Sequence, residues 1–170
     1  MDEEYEKFYK SISDTLMKES DKTLEEVAVA AVRREIGKRE NITKTDIRKI
    51  LNKMIFIDLY LRNIYRGKAI QILADNGIKV KVIGKDWEKL PVKNKENLII
   101  EPFTDSLTCM KQMHNAKIVL NVMPWFKDGA HDRVFNSILA GAVCVSDESI
   151  YQKEVLKENE GIKYYKLSEM

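Results

Sequence analysis

The stretch Asn121–Glu148, NVMPWFKDGAHDRVFNSILAGAVCVSDE, decides how the rest of the chain is read. An apolar run ends at Val122, a polar loop KDGAHDR follows, and Arg133–Ala140 has helical spacing before Gly141. Then comes Ala142–Ser146, AVCVS, a short apolar run. A glycine after the last helical residue stops a helix. A continuous apolar run is how a parallel strand buried on both faces reads. The order is therefore strand, loop, helix, glycine, strand, a right-handed βαβ unit. The polar loop falls at the carboxyl end of a strand and the amino end of a helix. Open α/β sheets bind ligands there, phosphorylated ones in particular.

The same alternation extends over the chain from Gly67 onward. Strands are expected at Ile78–Gly84 (IKVKVIG), Asn97–Glu101 (NLIIE), Ala116–Val122 (AKIVLNV), Ala142–Ser146 and Gly161–Leu167 (GIKYYKL). Between them, helices are expected at Lys68–Asp75, Ser106–His114, Arg133–Ala140 and Ser149–Asn159, with Asn76-Gly77 as a stop signal. The fold class this gives is α/β: a Rossmann-like parallel sheet of about five strands flanked by helices. Residues 1–66 have almost no strand signal. Ser20–Arg39 is helix-forming, with acids early and bases late, as the helix dipole favours. Asn41–Thr43 is a break, and Thr43 with Asp46 resembles a capping box. From Ile47 to Tyr65 apolar residues recur at steps of three and four, which predicts a long amphipathic helix over Thr43–Arg66 that either runs past Gly67 or breaks there. The organisation expected is a helical segment, 1–66, leading into or packing on an α/β domain, 67–170.

Composition excludes several classes. Net charge is only +2, and the basic residues are interspersed with acids, which argues against a nucleic-acid partner. No apolar run approaches the roughly 18 residues needed to span a membrane, and the acidic start MDEEYEKFYK is unlike a signal peptide. Cys109 and Cys144 sit in separate apolar segments without CxxC spacing, so they read as reduced core residues of a cytoplasmic protein. There is no GxGxxG, no GxxxxGK[ST], no HExxH and no GxSxG. The two histidines, His114 and His131, lack metal-ligand spacing, so no metal site is expected.

What remains is the loop. Gly129 permits a turn that brings amides close to a ligand. Arg133 could clamp a phosphate with two hydrogen bonds. His131 could donate to a phosphate or sugar oxygen, or move a proton. Asp128 could accept from sugar hydroxyls. The plain alternative is that Asp128 and Asp132 cap the helix and that His131 and Arg133 form surface pairs. Asn136, eight residues after Asp128, faces either the same crevice or solvent. Gly84 and Lys85 follow the first strand, where Lys85 could meet a phosphate or simply be solvated. Trp87 and Phe103 read first as packing residues and second as flanks for a base. Trp125 and Phe126 could wall a pocket, seal the sheet end or cover an interface.

These residues carry a resemblance. Gly67–Met170 resembles the carboxyl-terminal domain of group 1 glycosyltransferases of the GT-B fold, in the branch related to spore-maturation protein B. It rests on VIGKDW, Val82–Trp87, on Lys117–Asp147, and above all on the DGxHxRxFxxxxAGA pattern from Asp128 to Ala142. The family's segment has two glutamates eight positions apart that contact donor sugar and ribose. Here those positions hold Asp128, a conservative replacement, and Asn136, which keeps a hydrogen-bonding side chain but loses the charge. The resemblance implies transfer of a sugar from a nucleotide-sugar donor, with no cofactor and no essential metal. It implies Arg133 or Lys85 beside the donor diphosphate, and His131 at a phosphate or in acid–base chemistry. GT-B enzymes place their site between two Rossmann-like domains, and this chain has strands for one. The expectation is a donor-binding half that needs an amino-terminal domain or a partner chain and transfers poorly alone. The rival is a non-enzymatic module, its α/β domain a scaffold and its helical first third a partner-binding device.

Overall fold

The computed structural model describes residues 3–36, 42–125 and 127–169. The end of the expected Ser20–Arg39 helix, Asn41 in the expected break, and Phe126 lie outside them. The chain divides into two compact units, Met1–Asn63 and Ile64–Met170.

The first unit is helical: α1 (Glu3–Lys18), α2 (Leu24–Ile36), α3 (Lys44–Lys53) and the start of α4 (Ile55–Asp75). Acids open α1 and Lys18 closes it, matching the dipole. Thr23 and Glu26 cap α2 reciprocally, Thr23 N–H donating to Glu26 Oε2 at 2.8 Å and Glu26 N–H to Thr23 Oγ1 at 3.1 Å. Thr43 and Asp46 do the same for α3, the capping box expected from sequence. The single long helix expected over Thr43–Arg66 is instead two, parted at Met54, whose backbone (φ −105°, ψ 6°) leaves the helical region. The break has a packing reason: α3 buries none of its own residues, whereas Met54 and then Ile57 and Leu61 of α4 are buried. With Ile12, Leu16, Val27, Ala28 and Ala31 they are the buried apolar residues among those described in this unit. Helix α4 then runs through Gly67, the first of the two outcomes left open by the sequence, and takes in the helix expected at Lys68–Asp75.

The second unit is α/β. After α4 come β1 (Val80–Ile83), β2 (Leu98–Glu101), α5 (Ser106–His114), β3 (Ile118–Asn121), α6 (Asp132–Leu139), β4 (Val143–Asp147), α7 (Ile150–Val155) and β5 (Ile162–Tyr165). All five expected strands form, and every pair is parallel. Their ladders make a two-stranded sheet, β1–β2, and a three-stranded sheet in the order β3–β4–β5. Helix α7 is shorter than expected, because Leu156 is already extended (φ −128°, ψ 118°); Asn159, in the left-handed region (φ 73°), lies in the turn before β5.

Alternation along the second sheet explains its two cores. Val134 of α6 is buried with Cys144 and Ile162, against which Ile138, Leu156 and Tyr164 pack. Tyr65 and Ala69 of α4 are buried with Val122 and Leu167, against which Leu120, Trp125 and Tyr165 pack. Gly67 lets that stretch of α4 sit close to the loop after β1: a Cβ there would lie 3.0 Å from Leu90 Cδ2. The Cys144 thiol is raised by burial, as suits an inert core residue, and Cys109 is half-buried.

Candidate functional site

Asn121, the last residue of β3, and the two that follow it, Val122 and Met123, have backbone groups satisfied by side chains from three separate elements. Tyr165 Oη donates to the Asn121 carbonyl at 3.1 Å. Arg66 Nε of α4 donates to the Val122 carbonyl at 3.2 Å. Asp147 Oδ1, at the end of β4, accepts from Met123 N–H at 2.8 Å. Buried backbone groups need such partners, and here the partners also fix where the polar loop begins. Burial raises the Asp147 carboxyl to about 6, even though the Met123 amide and the charges of Lys127 and Arg66 pull it down. Burial likewise pushes the Tyr165 hydroxyl upward.

A second set of bonds runs from the strand ends into α6. Register places Asn121 beside Ser146, and both are fully buried. Asn121 Nδ2 donates to Ser146 Oγ at 2.9 Å, and Ser146 Oγ donates to the Asp147 carbonyl at 3.0 Å. Arg133 Nη1 donates to Asn121 Oδ1 at 3.0 Å. The guanidinium in the first turn of α6 is therefore tied to the carboxyl end of β3.

His131 holds the cap position of α6, and Asp132, one of the two aspartates of the plain reading, shares the same bond. His131 Nδ1 accepts from Arg133 N–H at 3.1 Å, and Asp132 Oδ1 accepts from the same N–H at 2.9 Å. Asp132 is also in contact with His131 Nδ1. The Arg133 amide is occupied from within, so an anion at this end of α6 would be recognised chiefly by side chains.

The structure thus brings His131, Asp132 and Arg133 together. Gly129 is tied to the next loop, its carbonyl accepting from Ser149 Oγ, while Ile150 N–H donates to the Lys127 carbonyl at 2.8 Å. Asp128 is exposed, and Asn136 lies half-buried one turn into α6. Gly84 and Lys85 belong to a different edge. Gly84 (φ 128°) donates its N–H to Glu101 of β2 at 3.0 Å, and Lys85 is exposed. Trp87 bonds back to the Ile83 carbonyl at 3.3 Å, a packing role. Trp125 packs edge-on against Tyr65 at 6.2 Å between ring centroids. Phe103, for which core packing was the first expectation, is 79% exposed, because the segment after β2 turns outward before α5.

Sequence reasoning missed Asn121, Ser146, Asp147, Arg66 and Tyr165. The signal was a polar residue ending each apolar run, Asn121 after IVL and Ser146-Asp147 after VCV. Among the described residues no three His, Cys, Asp or Glu side chains gather as metal ligands, and no helix is long and apolar enough to cross a membrane.

Residues 66–170 match the model of a family described as glycosyl transferase-like. The match covers well over half of the chain, which belongs to that family. Comparison with curated proteins and with solved structures gave no match.

Proposed function

We propose, with that membership as premise, that the α/β unit is the donor-binding half of a GT-B glycosyltransferase of the spore-maturation-protein-B-like branch. It binds a nucleotide-sugar and stabilises the nucleotide as it leaves. The observation that carries this is the Arg133 guanidinium, held at the end of β3 in the first turn of α6. When the sugar–phosphate bond breaks, negative charge builds on the departing diphosphate. A positioned cation there acts on the charge that develops, commonly the largest catalytic contribution. His131 donates to a diphosphate or sugar oxygen. Asp128 orients sugar hydroxyls, and Asn136, one turn further on, meets the ribose. The family resemblance would put Gly84 and Lys85 beside the donor as well. The acceptor and the catalytic base come from a second domain or a partner chain, so the unit transfers sugar poorly alone. Two free cysteines fit a cytoplasmic setting.

Calorimetry against UDP-, GDP-, ADP- and TDP-sugars tests the reading. Binding of one of them, weakened by Arg133→Ala, supports it. Absence of heat and of chemical-shift change with every member sinks it.

One observation favours a second reading. Helix α4 leaves Ile55, Phe56, Leu59 and Tyr60 exposed. A contiguous apolar stripe of this kind suits a partner surface, as the interaction-module reading requires. A strict monomer by light scattering, with this helix protected from exchange, argues against it.

A further inference from the structure

Helix α3 and the start of α4 share an outer face. The chain winds through the kink at Met54 in steps of three: Met54 N–H donates to the Leu51 carbonyl at 2.9 Å, and Ile57 N–H to the Met54 carbonyl at 2.9 Å. Side chains three and four apart then lie on one side. That spacing gives one row through Arg48, Asn52, Ile55 and Leu59, and a second through Lys49, Lys53, Phe56 and Tyr60. Every residue of both rows is exposed, while Met54, Ile57 and Leu61 are buried. Each row begins basic and ends apolar. The apolar part is large: Ile55 is 64% exposed, Leu59 51% and Tyr60 55%. Phe56 is steadied edge-on by Tyr9, at 4.7 Å between ring centroids. The basic part is not compensated nearby. Asp46 is taken up by the Thr43 cap and Asp58 by Arg62. Among the described residues no ion pair holds Lys44, Arg48, Lys49 or Lys53.

We propose that this face, Lys44–Tyr60, docks the first unit on an anionic lipid surface. The cations of α3 lie among the headgroups, which attract lysine and arginine near the surface. The apolar side chains of α4 enter the boundary between headgroups and acyl chains, to a depth of about 5–10 Å. An apolar patch alone would suit a protein partner, and the charge decides against one. Three of the four cations are lysines, a residue depleted from protein interfaces. A lysine is a hydrated point charge, without the planar fork that fits one particular carboxylate. A bilayer asks only for the charge, and it offers Tyr60 a boundary that suits a ring with one wet end. Docking of this kind lies along the surface and needs no spanning helix. The proposal stands apart from the donor-site reading, since residues 44–60 fall outside the family match at 66–170.

Flotation of the full-length chain with vesicles tests this, using phosphatidylcholine alone and phosphatidylcholine with about one third phosphatidylserine. Binding to the mixed vesicles is at least about tenfold tighter than to the neutral ones, and it fades at about 1 M salt, where charges are screened within about 3 Å. Lys49→Gln with Lys53→Gln weakens it about twenty-fivefold, about fivefold for each cation. Leu59→Ser weakens it about tenfold through lost apolar burial. Lys93→Gln with Lys95→Gln, exposed lysines of the second unit, changes it less than about twofold. Every side chain replaced is exposed, so the fold is not at stake. No binding to the mixed vesicles, equal binding to both kinds, or equal losses from the two lysine pairs overturns the proposal. Light scattering reads the rival occupant. A dimer that Leu59→Ser dissociates, in a chain that ignores vesicles, gives the face to a second copy and overturns the proposal as well.

Discussion

The carboxyl ends of β1 and β3 offer similar residues to solvent, yet they are built differently. At β1, Asp86 is paired with Lys89 three residues on, and that pairing holds its carboxyl below the usual range. Trp87 reaches back four residues to the Ile83 carbonyl. Lys85 is exposed. All of this is local in sequence and largely solvated, the setting in which ion pairs contribute little. At β3, Arg66 reaches Val122 across 56 residues, Tyr165 reaches Asn121 across 44, and Asn121 reaches Ser146 across 25. Those groups converge from four elements in a buried setting, where a satisfied network fixes geometry and a broken one is costly. A lysine at a strand end is thus weak grounds for a site, whereas an arginine that the fold has converged to hold is strong grounds.

The largest expected effect that sharpens this contrast is on stability. Asp147 has its folded-state carboxyl raised to about 6, above the ordinary value near 4. The folded chain therefore holds a proton that the unfolded chain releases, and this contribution to stability is present below about pH 4 and lost as pH rises to about 6. Asp147→Asn keeps an acceptor for Met123 and removes the buried charge. Urea unfolding should show it more stable than wild type by about 2–3 kcal/mol at pH 7.5, with the decline between pH 4 and 6 flattened. A variant less stable than wild type at pH 7.5 would break the contrast. Asp86→Asn, at the β1 end, should leave the unfolding midpoint where it was.

Next comes ligand affinity. Arg133→Ala should weaken binding of the matching nucleotide-sugar by at least about tenfold, as loss of a charge-assisted bond does. Lys85→Ala should change it less than about twofold, and calorimetry reads both. If Lys85→Ala had the larger effect, the assignment of the two edges would have to be exchanged. A smaller change is expected at Gly84, whose φ of 128° side chains rarely adopt, although a Cβ would meet only Trp87 Nε1 at 3.5 Å. Gly84→Ala should cost about 1–2 kcal/mol by thermal unfolding, through backbone strain alone. Smallest is Asp128→Ala. Its carboxylate is exposed, so unfolding should shift by less than about 0.5 kcal/mol. Under the donor reading its affinity for the nucleotide-sugar still drops.

What could be read from the sequence follows from the range of each interaction. Strand and helix periodicity is local, so all five strands emerge from the sequence within a residue or two, and α5 matches end to end. The capping box at Thr43 spans three residues and was equally legible. The break at Met54 was not, because it answers to burial of Met54, Ile57 and Leu61. Helix α1 gave no signal to act on, since its buried face is carried by few positions among many charges. At the site, KDGAHDR drew attention to His131 and Arg133 because the chemistry is concentrated in one loop. Asn121 and Ser146 did not stand out, since their meaning depends on a register that only the folded sheet creates.

The stitch between the two loops has a consequence in time. Ile150 N–H belongs to α7 by sequence, and its residue is exposed, yet it donates to the Lys127 carbonyl beside Gly129, whose own carbonyl takes the Ser149 hydroxyl. Its proton can exchange with water only when the two loops part. Hydrogen exchange at that one amide therefore clocks the opening of a loop more than twenty residues upstream. It would report the dwell time of the closed loop before any ligand has been identified.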